Sequence, residues 1–328
     1  MEDKYLTGLF TAVAPVAWGT TYWVTQTYLP VDRPLFDGLV RALPVGLLML
    51  AWRRELPQGS WWWRAALLGT LNIGAFFALI FLAAYHLPGG LAATMTAMSP
   101  LVVMGLAWPL AGERPTRLAL AGGVVGLVGV ALLVLRGEGA VDLVGVAAAT
   151  GAVGISALGF VLVRRWKPPT DLLTFTSWQL VAGGLFLVPV ALLVEGAPPP
   201  VDGPGMLAFA YLALVGTGLA YVAWFTGVRH IGAGPTSLIG LVNPVVGTLL
   251  GVALAGEAFG TAQAVGLVLV LGGVLAGQPA VVELVLGRRA SADGDLDLVG
   301  GVPAGRVDHA DPVETRVARQ DERAEAVA

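Results

Sequence analysis

The chain has 328 residues, of which 56% are hydrophobic and 12% charged, with a mean hydropathy of +0.77 and a formal net charge of −3. Soluble domains carry about 25% charged residues, so the composition excludes an ordinary soluble protein and points to an all-α membrane protein. Cysteine is absent, which removes disulfides, thiolate metal sites and cysteine nucleophiles together.

After Met1-Glu2-Asp3-Lys4 an apolar stretch runs to about Tyr28 with no basic n-region and no small-residue cleavage site, so it reads as a retained span. Windows of about 20 apolar residues predict ten transmembrane helices, near 6–28, 33–52, 62–84, 89–111, 116–135, 142–163, 171–194, 205–227, 233–255 and 261–286. Turn and charge clusters such as "RRELPQGS", "GERPTR" and "EGAPPPVDGPG" separate them. Residues 288–328 hold six Arg against nine Asp or Glu, and so carry the whole net charge. Few large apolar residues lie there, and a disordered cytoplasmic tail is expected.

Short cytoplasmic loops keep Lys and Arg. With the N-terminus inside, alternate connections carry Lys4; Arg53, Arg54 and Arg64; Arg114 and Arg117; Arg164, Arg165 and Lys167; Arg229; and Arg288 and Arg289. The other connections carry Arg33 and Arg136. This bias predicts both termini in the cytoplasm and a multi-pass protein of the inner membrane.

The stretch "SPLVVMGLAWPLAGERP" at 99–115 returns as "NPVVGTLLGVALAGEAF" at 243–259, so Glu113 and Glu257 stand 144 residues apart. At the same offset Phe81 matches Phe225, His86 matches His230, Gly122 matches Gly266 and Gly129 matches Gly273. Five spans fit in that offset, and an odd number turns the second copy upside down. The predicted domains are therefore two inverted five-helix repeats, 1–138 and 139–287, an arrangement that lets one chain alternate between two openings around a central site.

Several motifs sharpen this reading: "WGTTYWVTQT" in the first span, "LVRALPVGLLML" in the second, "MSPLVVMGLAWPLAGERP" in the fourth and "SWQLVAGGLFLVP" in the seventh. In this order, over about residues 6–280, the chain resembles the EamA-type transporters of the drug/metabolite transporter superfamily. The resemblance implies a ten-helix exporter of small organic solutes, with a central cavity lined largely by the first, third, fourth, sixth, eighth and ninth spans. Two departures set the halves' sites apart: "GEAF" lacks the arginine of "GERP", and "GISALGF" stands where a Trp-Gly or Trp-Ala would be expected.

Candidate functional residues follow from chemistry that is costly inside a bilayer. Pro100 and Pro244 each remove a helical hydrogen bond, and Ser99 and Asn243 just before them could serve the freed carbonyls. The functional reading is a kink opening a cavity; the structural one is packing alone. Asp37 and Arg41, four apart on one helix, can pair. They are expected as a gate or solute-carboxylate anchor, or as a structural pair whose arginine reaches the interface. Glu113 and Glu257 end their spans and read as helix links, with proton relay as the alternative. Trp18, Tyr22 and Thr25 share one helical stripe, as do Asn72, Phe76 and Leu79, and also Tyr221, Trp224 and Phe225. Apolar pockets with a few placed polar groups suit amphipathic solutes, and from these stripes Trp18, Tyr22, Asn72, Phe76, Tyr221 and Trp224 join Ser99 and Asn243 as candidate lining. "WWWR" at 61–64 reads as an interfacial belt. Small-residue pairs such as Gly122/Gly126 allow close helix packing, with a homodimer as the other use.

An intramembrane enzyme is the competing class. His86 and His230 sit at span ends, His309 lies in the tail, and neither His-Glu-x-x-His nor a Gly-x-Ser-x-Gly elbow around Ser156 is present. A solute channel is the other competitor, but no selectivity filter or charged ring is visible. No catalytic, metal, cofactor or nucleic-acid signature appears, so the expected partners are a small-molecule solute and the lipid bilayer.

Overall fold

A computed structural model of the chain describes residues 2–30, 33–87, 89–134, 142–256, 259–278 and 281. Glu257 and the tail at 288–328 lie outside the described residues, and so does the side chain of Tyr22. Among the described residues the regular structure is helical throughout.

The helices follow the predicted spans closely. They are α1 (Glu2–Tyr28), α2 (Pro34–Arg53), α3 (Trp61–Gly69), α4 (Ala75–His86), α5 (Gly89–Thr96), α6 (Ser99–Ala111), α7 (Arg117–Val134) and α8 (Leu143–Trp166). The second half of the chain adds α9 (Leu172–Val194), α10 (Gly203–Ala213), α11 (Ala220–His230), α12 (Ala233–Ile239), α13 (Val242–Ala255) and α14 (Thr261–Ala276). Two π-helical segments, Thr70–Gly74 and Leu214–Leu219, join α3 to α4 and α10 to α11 into continuous rods. With α5–α6 and α12–α13, each interrupted by a short turn, taken like the two rods as single spans, eight spans among the described residues are long and apolar enough to cross a membrane. Two more helices are less decisive: α1 has 27 residues but is diluted by "WGTTYW", and α14 is apolar but has 16.

Ends are set by local chemistry. Asp142, Asp171 and Asp202 accept backbone N–H groups in the first turns of α8, α9 and α10. Glu195, just past α9, serves α2 in the same way, accepting from Leu35 N–H at 2.6 Å and Phe36 N–H at 2.8 Å. Gly112 and Gly256, with φ of 72° and 67°, stop α6 and α13 in the left-handed conformation that glycine adopts without steric cost.

Packing is close and largely backbone to backbone. Helices α7 and α14 run antiparallel, with Gly122 against Gly273 and Gly129 against Gly266; a Cβ on Gly122 would lie 2.5 Å from Gly273 O. Helix α2 crosses α9 antiparallel, with Gly46 against Leu180 and Gly184 against Leu43. Helix α1 runs antiparallel to the α10–α11 rod along its length, since Thr11 meets Gly227, Trp18 meets Gly216 and Tyr28 meets Gly205. The apolar core sits on α1, α2, the α3–α4 rod, α9 and the α10–α11 rod, with Phe175, Phe225, Leu180 and Leu187 fully buried.

One end of this bundle is basic. There Glu113 pairs with Arg164 and accepts Ala233 N–H at 3.1 Å, Arg164 donates to Arg229 O, and Arg229 donates to Thr170 O at 3.1 Å. At the same end Arg53 pairs with Asp171. Burial disfavours the Asp171 carboxylate, but hydrogen bonds from Thr174 and Arg53 outweigh it and hold its pKa below the usual range. At the opposite end His86 Nδ1 and Asp142 Oδ2 are 2.7 Å apart, tying α4 to α8, and this contact, with Val144 N–H, lowers the Asp142 pKa.

Candidate functional site

A π segment widens the helix by one residue per turn and so loosens its main-chain ladder. In both π segments of this protein one carbonyl is taken by side chains of other helices. Gly216 O accepts Trp18 Nε1 at 3.0 Å and Arg41 Nη2 at 3.3 Å. Asn72 O accepts the Tyr221 hydroxyl at 3.0 Å. Positions 72 and 216 are 144 residues apart, and so are the starts of the two segments, Thr70 and Leu214.

Around these carbonyls the side chains form one connected group. Arg41 Nε donates to Thr217 Oγ1 at 3.3 Å, and its guanidinium lies 5.5 Å from the Phe77 ring centroid. Asn72 Nδ2 donates to Gln179 Oε1 at 2.7 Å. Trp18 packs on Tyr221 and Trp224 with centroids 5.5 and 5.1 Å apart, and Phe160 reaches Trp224 at 5.4 Å. Asn72, Arg41, Tyr221 and Trp224 are all buried, while Trp18 and Phe76 are partly buried. Three buried atoms here, Asn72 Oδ1, Gln179 Nε2 and Trp224 Nε1, have no hydrogen-bond partner among the described residues. Such groups are costly to bury unsatisfied, and together they offer one acceptor and two donors in an aromatic setting.

Of the candidate lining, the structure brings Trp18, Asn72, Tyr221 and Trp224 together, with Phe76 beside Phe77 at 5.9 Å between centroids. Arg41 is buried rather than extended to the interface, and Asp37, one turn away, is buried with Oδ1 unpartnered among the described residues. Pro100 and Pro244 fall where their spans are interrupted. Each stands in the first turn after a break, at residues 97–98 and 240–241, where a missing N–H is tolerated. Ser99 and Asn243 are partly buried at these breaks. Glu113 links α6 to α8 and α12 at the basic end. Tyr22 and Glu257 cannot be placed in the site, their side chains being outside the described set. Trp61, Trp63 and Trp166 surround the Arg64 guanidinium, each ring centroid 5.3–5.5 Å from it.

Gln179, Thr217, Phe160 and the Gly216 carbonyl were not among the candidates. An amide inside the apolar α9 was a signal for the first; a main-chain carbonyl has no sequence signal. Gly159 is a further hidden element, because a Cβ there would collide with the Asn72 amide. Alanine at Gly159 is expected to displace Asn72 and cut the activity of this site by at least about tenfold, equivalent to 1.4 kcal/mol. Alanine at Gly154, where a Cβ meets nothing within 4 Å, should leave it unchanged. Parallel activity assays at equal expression check the pair.

No group of three or more His, Cys, Asp or Glu that could hold a metal occurs among the described residues. The model of the EamA-like transporter family matches residues 6–135 and 143–276. Protein PecM of Dickeya dadantii is 38% identical over 268 residues, 81% of this chain and 90% of its own length. The inner membrane transporter YedA of Escherichia coli is 28% identical over 270 residues, covering 78% and 86%. Transporter YwfM of Bacillus subtilis is 27% identical over 273 residues, covering 81% and 92%. A crystal structure at 22% identity superposes with a TM-score of 0.72 over 83% of this chain and 96% of that one, which shows a shared fold.

Proposed function

The chain belongs to the EamA-like transporter family, and from that premise we propose that it exports small organic metabolites, amino acids or related amphipathic compounds, by alternating access between two inverted halves. It is a multi-pass membrane transporter, and its inner-membrane location follows the relatives. In this reading α1 and α14 complete ten spans, the basic end faces the cytoplasm, and the solute sits among Trp18, Asn72, Tyr221 and Trp224.

The observation that carries the proposal is the recurrence of irregular backbone at a fixed offset. The π segments start at 70 and 214, α5 and α12 at 89 and 233, the left-handed glycines stand at 112 and 256, and α7 and α14 start at 117 and 261. Irregular helix at membrane depth is tolerated where it lines a cavity or a partner, so its duplication favours two related halves over one pore. The glycine contacts of α7 with α14 exchange with each other under the same shift, as a two-fold axis in the membrane plane requires.

Matched positions also differ in burial. Ser237, Leu238 and Ile239 are buried, while Ala93, Thr94 and Met95, which precede them by 144, are partly exposed. This supports a state closed at the basic end and looser at the other.

The test is mass spectrometry of medium and cells over time in an overexpressing strain, beside the Trp224→Ala, Asn243→Ala double variant. One solute class should accumulate outside with the parent protein and fall by about tenfold or more with the variant, the scale of a lost contact of about 1.4 kcal/mol. Equal export by a variant that reaches the membrane would overturn the site.

A further inference from the structure

Two adjoining cavities open at the basic end. One, of about 210 Å³, is lined by Val163, Arg164, Lys167, Pro168 and Arg229. The second, of about 400 Å³, is lined by Leu110, Ala111, Glu113, Arg164, Arg165 and Lys167. Arg164 and Lys167 face both, so four cationic side chains surround this space. The carboxylate lining it, Glu113, is already engaged.

We infer that this end loads an organic anion whose carboxylate takes Arg164 from Glu113 and thereby releases the closed mouth. The inference rests on the transporter reading above and adds a solute class and an unlocking step to it.

Glu113 divides its two oxygens: Oε1 accepts from Arg164 Nε, and Oε2 accepts from Ala233 N–H. It therefore offers Arg164 a single oxygen, whereas a solute carboxylate can offer two to the planar guanidinium fork. The existing pair is also partly in water, with side chains 34% and 24% exposed, and such pairs are weakly held. Arg165, Lys167 and Arg229 add a field of one sign, and cavities lined by one sign concentrate counter-ions. An anion entering here meets an exchangeable guanidinium and a competitor that binds it less completely.

Exchange at Arg164 has a consequence beyond binding. Glu113 is the link between α6, α8 and the start of α12, and α12 is the buried segment that closes this end. Once Glu113 loses Arg164, its contact with Ala233 is no longer fixed from both sides, and α12 is free to move from α6. A neutral or cationic solute has no group to exchange.

The chain has no cysteine, so Ser237→Cys gives a clean reporter in the buried part of α12. The full chain is placed in phosphatidylcholine vesicles with the basic end outward, and labelling by a membrane-impermeant maleimide is timed. Benzoate, benzamide and benzylammonium are compared at equal ionic strength, with inorganic phosphate as the inorganic anion and phosphatidylglycerol vesicles as the anionic lipid surface. Benzoate should accelerate labelling by about fivefold, the lower end of ordinary coupling between sites, and the two non-anionic analogues should not. In Glu113→Gln the basal rate should already be raised and benzoate should add nothing. Arg164→Lys, which keeps the charge but loses the fork and the contact with Arg229 O, should lose most of the benzoate response measured against its own basal rate. Equal responses to all three aromatic solutes, acceleration by phosphate or phosphatidylglycerol alone, or a full benzoate response in either variant would overturn the inference. Export that continues while labelling ignores benzoate overturns the anion step and leaves the transporter reading standing.

Discussion

Methionine in place of Arg41 is expected to abolish export and to lower the melting temperature of the purified protein, the largest effect of any single side-chain change in the site. Arg41 joins α2 to the second π segment through Gly216 O and Thr217 Oγ1, and it covers the Phe77 ring. Its charge also acts on Asp37, which is buried on the same face. Loss of Arg41 leaves Thr217 Oγ1 without the guanidinium, and leaving a buried hydrogen-bonding group without its partner costs about 1–3 kcal/mol. Adding Asp37→Asn to Arg41→Met, which removes the buried carboxyl left without a neighbouring cation, should recover part of the lost stability. It should not recover export, because the fork that holds the loosened π carbonyl is still missing. Arg41→Lys should restore charge but not span both acceptors, giving intermediate stability and little export. Thermal unfolding in detergent and export by mass spectrometry separate these effects. Parent-like export by the Asp37→Asn, Arg41→Met protein would assign Arg41 to structure alone.

Much of this architecture is legible in the residues, and the parts that are not share a cause. Apolar windows find the spans because a bilayer demands continuous hydrophobicity, and helices such as α8 and α9 start within a residue of the predicted positions. Helix α1 is harder by hydropathy, since "WGTTYW" is polar enough to look interfacial. Its Trp18 is used instead on a main-chain carbonyl of the neighbouring rod. The prolines mark the interrupted helices, yet they do so from the first turn after each break. Span arithmetic puts Arg41 about 10 Å from a helix end at 1.5 Å per residue, and only packing of α9 and the α10 rod on α2 decides that it is buried. The π segments were invisible because "TLNIG" and "LVGTGL" carry no periodic mark. Their chemistry lies in the carbonyls of Asn72 and Gly216, which every residue type possesses. The repeat offset did align these two positions, but their side chains, an amide and a hydrogen, gave no reason to compare them.

Valine at Gly273 is expected to be as damaging to the fold as the arginine change is to the site. A Cβ on Gly273 would collide with Gly122 O and lie 2.8 Å from Gly126 N, so the neighbours are backbone and cannot rotate aside. Overpacking of a close contact costs about 1–3 kcal/mol and more where backbone must move, and the three atoms nearest a Cβ on Gly273 are all backbone. Gly129→Val should cost about the same, because position 129 precedes 273 by the repeat offset and a Cβ there would lie 2.7 Å from Val270 N and 2.8 Å from Gly266 O. Gly272→Val is the control, one residue along and with nothing within 4 Å of its Cβ. Monodispersity after detergent extraction and the unfolding temperature read the three side by side. Matched losses at 129 and 273 with a neutral 272 are what a two-fold exchange of contacts requires. A large loss at one and little at the other would mean that the halves carry the crossing unequally, whatever their sequence correspondence.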